Sequence, residues 1–422
     1  MRFDTLQDWL NWQETLHPEE IELGLERIQR VWEQLCPMPD LPRIITIAGT
    51  NGKGSCAMML ESIYHHAGYR TGSYTSPHLL KYNERIRLQC QPVDDQQLCQ
   101  AFEAVDQARA EISLTYFEFG TLAALFCFMQ AGLDIIILEI GLGGRLDAVN
   151  IINADVALLT SVALDHQDWL GDDREDIGYE KAGIFRAGKP AICAEINPPQ
   201  SVLDYADAIG ALCLRQEKDF GYQIQEHAWL WHGQQQTRTA LPMPALRGDV
   251  QLQNASAVLA VIEALDADLP VQQAAVRQGL LDLDLPGRFQ VIAGDIPLIL
   301  DVAHNPAAVD ELVKSLNAYR CQGQGQVHLV LGMLKDKDAS GVIERLSPLV
   351  TSCHLVPVMA ARGLDVMELA SIAESHGMQH CQACSSISQG IQEALANASP
   401  GDCVLITGSF YTVAAALQYH VD

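Results

Sequence analysis

Residues Ile45–Cys56 read ITIAGTNGKGSC, and the way this stretch is read decides the fold. A β-branched run, Arg43–Ala48, enters a glycine-rich turn, and an amphipathic segment, Ser55–Ala67, leaves it. Strand, glycine turn and helix in that order make a phosphate cradle. Glycines let backbone N–H groups face the anion, and the helix N-terminus adds positive potential. The usual loop is G-x-x-x-x-G-K-[ST], whose last hydroxyl holds magnesium. Here Gly52-Lys53 is present, but the early glycine position is Ile47 and Lys53 is followed by Gly54. Glycine has no hydroxyl, so a metal ligand must come from elsewhere.

Working outward, short β-branched runs alternate with helical patterns along most of the chain, as in parallel α/β folds. The strand candidates are Arg43–Ala48, Asp134–Ile140, Asp155–Thr160, Pro190–Ala194, Leu298–Val302, Val327–Leu331, His354–Val358 and Cys403–Thr407. Ser55–Ala67, Glu118–Ala131, Asn254–Leu265 and Ala307–Tyr319 carry helical periodicity. Near-continuous apolar strands imply a sheet covered on both faces. Glu217–Leu246 alternates instead, as a hairpin through His232-Gly233 would, and Gly323–Gln326 reads as a short polar loop. The stretch DLDLPGR, 282–288, breaks a helical pattern before a fresh series of strands. The expectation is a P-loop-type, mainly parallel α/β domain over 1–285, followed by a smaller Rossmann-like α/β domain over 286–422.

A net charge of −26 argues against nucleic-acid partners, which need a basic face. It leaves anionic small molecules open, because charge beyond roughly 8 Å is largely screened. The N-terminal segment mixes acids and tryptophans with no apolar h-region, and no apolar run approaches a membrane span. A cytoplasmic protein is expected, with its twelve cysteines as free thiols. His380 and the Cys381-Gln-Ala-Cys384 pair suggest zinc, but no second pair lies nearby to complete four ligands, so free thiols are favoured.

Two further strand ends carry chemistry. Glu139 closes the run Asp134–Ile140, directly before Gly141-Leu-Gly-Gly-Arg145-Leu-Asp147. A carboxylate at the C-terminal end of a parallel strand faces the crevice where α/β proteins bind ligands, and magnesium prefers such hard oxygens. The run Asp155–Thr160 leads to Leu164-Asp165-His166. Imidazole is an uncommon magnesium ligand, so on residue type alone a capping or hydrogen-bonding His166 stands ahead of ligation. Ser76-Pro77 alone reads as a turn or cap.

GTNGKGS (49–55), SPHL (76–79), LEIGLGGRLDAVN (138–150), LDH (164–166), EKAGIF (180–185), DVAHNP (301–306) and TGSF (407–410) occur in this order. Nearly the whole chain thereby resembles the folylpolyglutamate synthase family of the ATP-dependent Mur ligase superfamily. It looks closest to the bifunctional type that is also a dihydrofolate synthase, with Leu114–Glu118 as a supporting piece. The resemblance implies that Thr50, Asn51, Gly52 and Lys53 hold the ATP phosphates. It implies Glu139, His166 and Ser76 as magnesium ligands, Ser76 supplying the hydroxyl missing beside Lys53. Lys181 would be carbamylated and serve a second magnesium ion; a salt-bridging lysine is the plain alternative. Asn254, Arg288 and Asp301 would contact the nucleotide, while His304 reads equally as a structural histidine. The pteroate would meet Glu22, Leu23 and Gly24, then Thr115, Tyr116, Phe117 and Glu118, then Leu146, Asp147 and Ala148. The family more often has Asp where Glu22 stands.

The implied catalytic groups are Lys53, Lys181 and His166, and the implied substrates are ATP, L-glutamate, dihydropteroate and reduced folates. Domain closure over a shared site needs no partner subunit, so a monomer is expected. A monofunctional folylpolyglutamate synthase is the nearest rival. A peptidoglycan Mur ligase is more distant, and a non-catalytic nucleotide switch would not need the full metal set.

Overall fold

The computed structural model describes residues 1–226, 228–320, 325–378 and 380–421, with 320, 420 and 421 described by backbone alone. The polar loop expected at Gly323–Gln326 lies partly outside the described residues. The chain forms two compact units. The first comprises Met1–Ala163, Leu170–Ala245 and Leu252–Leu283; the second comprises Leu164–Trp169, Leu246–Gln251 and Asp284–Asp422.

The first unit is built on eight strands: β1 (Arg43–Ala48), β2 (Thr71–Tyr74), β3 (Ile86–Leu88), β4 (Gln91–Pro92), β5 (Ile135–Glu139), β6 (Val156–Leu159), β7 (Pro190–Cys193) and β8 (Leu212–Arg215). Their order is β4-β3-β2-β5-β1-β6-β7-β8. All pairings are parallel except those of β3 with β2 and β4 at one edge. The centre is dry: Ile45, Ile47, Ile135, Ile136 and Ile137 are fully buried. Each contributes about 1.5–3 kcal/mol of hydrophobic stabilisation. Because β1 lies between β5 and β6, the turns that leave these three strands meet at one edge. That is the topological switch point where α/β sheets bind ligands.

Some strands lack an apolar signature for a physical reason. In β2, TGSY, a Cβ on Gly72 would meet Leu133 Cδ1 at 2.5 Å and Phe128 Cδ1 at 2.9 Å. The helix Tyr116–Ala131 approaches so closely that only glycine fits. The small antiparallel sheet β9 (Gly221–Ile224), β10 (Trp229–His232) and β11 (Thr237–Leu241) contains the hairpin expected through His232-Gly233. Trp229 and Trp231 are fully buried and donate their indole N–H groups to Pro242 O and Ser256 O at 2.7 and 3.0 Å. Burying indole costs little when its one donor is satisfied.

The second unit carries β12 (Gln290–Ile292), β13 (Leu298–Leu300), β14 (Val327–Leu331), β15 (Ser352–Leu355), β16 (Cys381–Ala383) and β17 (Cys403–Thr407). Their order is β12-β13-β17-β14-β15-β16, parallel except for the β12 edge. Every strand expected from sequence is present. β15 begins two residues earlier than expected and ends at Leu355, where the chain turns away after Val356 N–H reaches Leu331 O at 2.9 Å.

Candidate active site

In the first unit the GTNGKG turn leaves β1 and enters the helix Lys53–His66. Gly52 is the N-cap at φ 87°, and no side chain caps the helix. The first helical amides have no intrahelical acceptor, so this end presents donors and the positive pole of the helix dipole. Gly49 has φ 153°, and a Cβ there would lie 1.8 Å from Thr160 Oγ1. A Cβ on Gly52 would lie 2.8 Å from Asn254 Oδ1, which brings Asn254 against the turn.

The segment after β6 holds the turn in shape. Thr50 N–H donates to Ser161 O at 2.8 Å, Asn51 N–H to Ser161 Oγ at 3.0 Å, and Thr160 Oγ1 to Asn51 O at 2.7 Å. Thr50 Oγ1 donates to Ala163 O and accepts from Ala163 N–H, at 3.1 and 3.0 Å. Lys53 Nζ folds back onto Gly49 O and Thr50 O at 2.9 and 3.3 Å. Thr160 and Ser161 were not singled out in the sequence; their only signal is a hydroxyl pair at a strand end.

Glu139 ends β5 opposite Ile47, and only 4% of it is exposed. Its Oε2 accepts the Ser76 N–H at 3.2 Å, so the structure brings Ser76 and Glu139 together. That bond uses the backbone of Ser76 and leaves its hydroxyl out. Lys181 is also 4% exposed, in the helix Arg174–Ala182. That helix is clamped to the loop after Glu139: a Cβ on Gly144 would meet Glu180 O at 2.6 Å, and Arg145 pairs with Glu180 at 2.7 Å.

Two separate segments converge on the same loop. Gly24 N–H donates to Leu146 O at 3.3 Å. Phe117 packs flat on Gly141, where a Cβ would lie 2.5 Å from its Cζ. Thr115 and Glu118 form a capping box, with Glu118 N–H to Thr115 Oγ1 at 3.2 Å and Thr115 N–H to Glu118 Oε2 at 2.8 Å. Arg27, which sequence reasoning missed, joins Glu22 at 2.6 Å to buried Glu118 at 3.1 Å. No linear pattern links residues 27 and 118; only tertiary structure pairs them. Asp147 is buried and accepts N–H from Leu142 and Val149 at 2.8 and 3.0 Å. Burial pushes its carboxyl up to about 7, against the pull of those bonds and of Lys53.

In the second unit His166 sits at φ 54° and donates its N–H to Asp165 Oδ1 at 2.9 Å. Asp165 pairs with Lys337 Nζ at 2.6 Å and accepts from Asn305 Nδ2 at 3.1 Å, with His304 Nε2 at 3.7 Å. Lys337 Nζ also lies 3.2 Å from His166 Nε2. Burial would raise the Asp165 carboxyl, but His304, Lys337 and His166 outweigh it and hold it well below the usual range. Lys337 and Asn305 were absent from the expected set. Asp301 accepts N–H from Phe289 and Ala303 at 2.8 Å each. Burial raises its carboxyl while Arg288 pulls it down. Arg288 in turn lies over the Phe410 ring at 5.2 Å.

A model of the Mur ligase middle domain matches residues 47–262, and one of the Mur ligase glutamate ligase domain matches residues 287–410. The dihydrofolate synthase/folylpolyglutamate synthase of Escherichia coli (strain K12) is 43% identical to this chain, over 98% of this chain and 95% of that protein. The chain belongs to the dihydrofolate synthase/folylpolyglutamate synthase family. Solved relatives agree in fold. E. coli FolC in complex with DHPP and ADP superposes with a TM-score of 0.94 at 42% identity, over 99% of this chain and 98% of that one. The bifunctional folylpolyglutamate synthase/dihydrofolate synthase of Yersinia pestis, complexed with AMPPNP and Mn ion, gives 0.92 at 44% identity, over 99% and 98%. The turn, the Ser76–Glu139 pair and the Lys181 helix of this chain are therefore features of a member of that family. Among the described residues, no helix is long and apolar enough to cross a membrane.

Proposed function

We propose that this chain is an ATP-dependent amide ligase that adds L-glutamate both to dihydropteroate and to the glutamate tail of reduced folates. The observation that carries the assignment is the meeting of Glu22–Gly24 and Thr115–Glu118 with the loop that follows Glu139, which contains Leu146–Ala148. An acceptor bound there would lie beside the turn that presents the uncapped helix N-terminus. The likeness to bifunctional relatives over nearly the whole chain favours both acceptors over folates alone.

The acceptor carboxylate is a poor electrophile, so the first step is attack of its oxygen on the γ-phosphorus of ATP, with ADP leaving. The amine of glutamate then attacks the acyl carbon of the acyl phosphate. Inorganic phosphate departs from the tetrahedral intermediate, and the amine gives up a proton. Positioning and charge stabilisation dominate such chemistry. We assign phosphate contacts to Thr50, Asn51, Gly52 and Lys53. Lys53 would exchange the carbonyls of Gly49 and Thr50 for phosphate oxygens, a short swing of one side chain. Asn254, Arg288 and Asp301 are assigned to the nucleotide.

The donor types suit a divalent cation: in the first unit a serine hydroxyl outside the Ser76–Glu139 bond and a buried carboxylate, to which the family resemblance adds the imidazole of His166. We assign Ser76, Glu139 and His166 to magnesium, and Lys181, as its carbamate, to a second ion. When bound, these ions would offset charge on the transferring phosphoryl group. The functional domains are taken as 1–285 and 286–422, and the protein as a cytoplasmic monomer.

The test is glutamate-dependent ADP formation with dihydropteroate and with tetrahydrofolate as separate acceptors, products resolved by mass. Both acceptors should gain one glutamate. Turnover with tetrahydrofolate alone would leave the monofunctional assignment, and ADP formation indifferent to glutamate would overturn the ligase.

A further inference from the structure

The second unit contains a group of potential metal ligands that the ligase reaction does not use. A ring nitrogen of His354, Cys384 Sγ and a carboxylate oxygen of Glu393 all lie within 4.8 Å of one another. They come from three places in the chain: β15, the residue just after β16, and the helix Ile387–Asn397. The fold builds this convergence. His354 pairs with Gln382 across β15 and β16, and Cys384 N–H extends that ladder to Leu355 O at 2.9 Å. Side chains alternate along a strand, so His354, Gln382 and Cys384 share a face, while Cys353 and Cys381 share the other. The helix packs on the His354 face through Gly390, whose added Cβ would lie 3.7 Å from His354 Cβ. Glu393 is three residues along, on the same side of the helix.

A second observation points to a ligand. His354 is 1% exposed, and its Nδ1 is buried with no hydrogen-bond partner. Its Nε2 lies 3.4 Å from Ser352 Oγ, which in turn reaches His328 Nδ1 at 2.8 Å. A buried polar nitrogen without a partner is unfavourable unless something satisfies it. Hydrogen bonds do not join these three side chains to one another: Glu393 accepts from Gln389 Nε2 at 2.6 Å, and Cys384 Sγ lies 3.8 Å from Gln382 O. The CxxC pair of the sequence is thus split, Cys384 facing His354 and Cys381 facing away.

We propose that His354 Nδ1, Cys384 Sγ and Glu393 bind one zinc(II) ion, with water as the fourth ligand. Nitrogen, thiolate and carboxylate suit zinc, and Ser352 at Nε2 would orient the ring. Tetrahedral zinc sets its ligand atoms roughly 3.3–3.6 Å apart, so the side chains close slightly around it. Binding converts the Cys384 thiol to thiolate and releases its proton to solvent. The ion would fasten the helix Ile387–Asn397 to the β15–β16 edge.

The test uses the full chain, stripped with a chelator and titrated with zinc in excess magnesium, then with cobalt(II). One equivalent of zinc should bind in the presence of magnesium, and cobalt should give a thiolate charge-transfer band. Cys384→Ser should abolish the band, and His354→Ala and Glu393→Gln should each weaken zinc at least ~10-fold. Ligase turnover in magnesium should persist in Cys384→Ser. Absence of the band in the wild-type protein would overturn the site, whatever the variants do to folding. Zinc that magnesium displaces, or that Cys384→Ser binds as tightly as wild type, would overturn it equally.

Discussion

Ser76 donates its backbone N–H to Glu139 Oε2 at 3.2 Å, which ties the end of β2 to the end of β5 without using the serine hydroxyl. Side chain and main chain of Ser76 can therefore be tested separately. Ser76→Ala keeps the N–H and should leave thermal stability within about 0.5 kcal/mol. It should raise the magnesium concentration needed for half-maximal turnover by roughly 10-fold. A magnesium titration of ADP formation that matches wild type would remove Ser76 from the metal site.

Lys53→Ala removes the ammonium that now caps Gly49 O and Thr50 O. Turnover should fall at least ~100-fold, the usual cost of losing a donor on developing charge. The drop should appear with both acceptors. Near-normal ADP release would end the phosphate assignment.

Arg27 bridges Glu22 and buried Glu118. Arg27→Ala leaves Glu118 buried with less compensation and should cost about 3 kcal/mol of stability. The proposed acceptor site adds a kinetic signature: KM for dihydropteroate should rise while KM for ATP stays put. Equal rises in both would reduce Arg27 to a structural role.

Gly49→Ala places a Cβ 1.8 Å from Thr160 Oγ1 at a left-handed backbone position. The expected loss is about 1–3 kcal/mol, with weaker nucleotide binding. Thr160→Ala should relieve part of it, so a double-mutant cycle should give a coupling of at least ~0.5 kcal/mol. Strict additivity in chemical denaturation would place the strain elsewhere.

Asp147 supplies a pH dependence with a definite sign. Its folded-state carboxyl is raised to about 7, above the unfolded value near 3.8. Between those values the folded state binds the extra proton, so stability is fully present at low pH and is lost as pH rises. The group contributes a slope of up to about −1.4 kcal/mol per pH unit in that window. Urea unfolding of wild type minus Asp147→Asn should show this decline from pH 4 to 7. A flat difference would mean Asp147 is ionised throughout.

The sequence by itself determined the parallel α/β architecture, because β1, β5, β6 and β14 are apolar on both faces and can only lie inside a covered sheet. It also made the strand, glycine turn and helix at Arg43–His66 legible, since glycine spacing between strand and helix is a local property. Gly54 beside Lys53 shows only that the turn lacks a hydroxyl there; Ser76 as its source is implied by the family resemblance, not by residue type or spacing. Strand β2 was hidden because its residues are chosen for the close approach of a helix, not for apolar periodicity.

Tertiary structure alone decided the rest, because those relationships join residues far apart in the chain. Arg27 meets Glu118, Thr160 fills the space that Gly49 leaves open, and Lys337 holds Asp165. The cysteine pair at 381 and 384 carries the same lesson. Its spacing suggests joint action, but the pleat sends the two sulfurs to opposite faces of the sheet. Only the folded chain gives Cys384 its neighbours, His354 and Glu393.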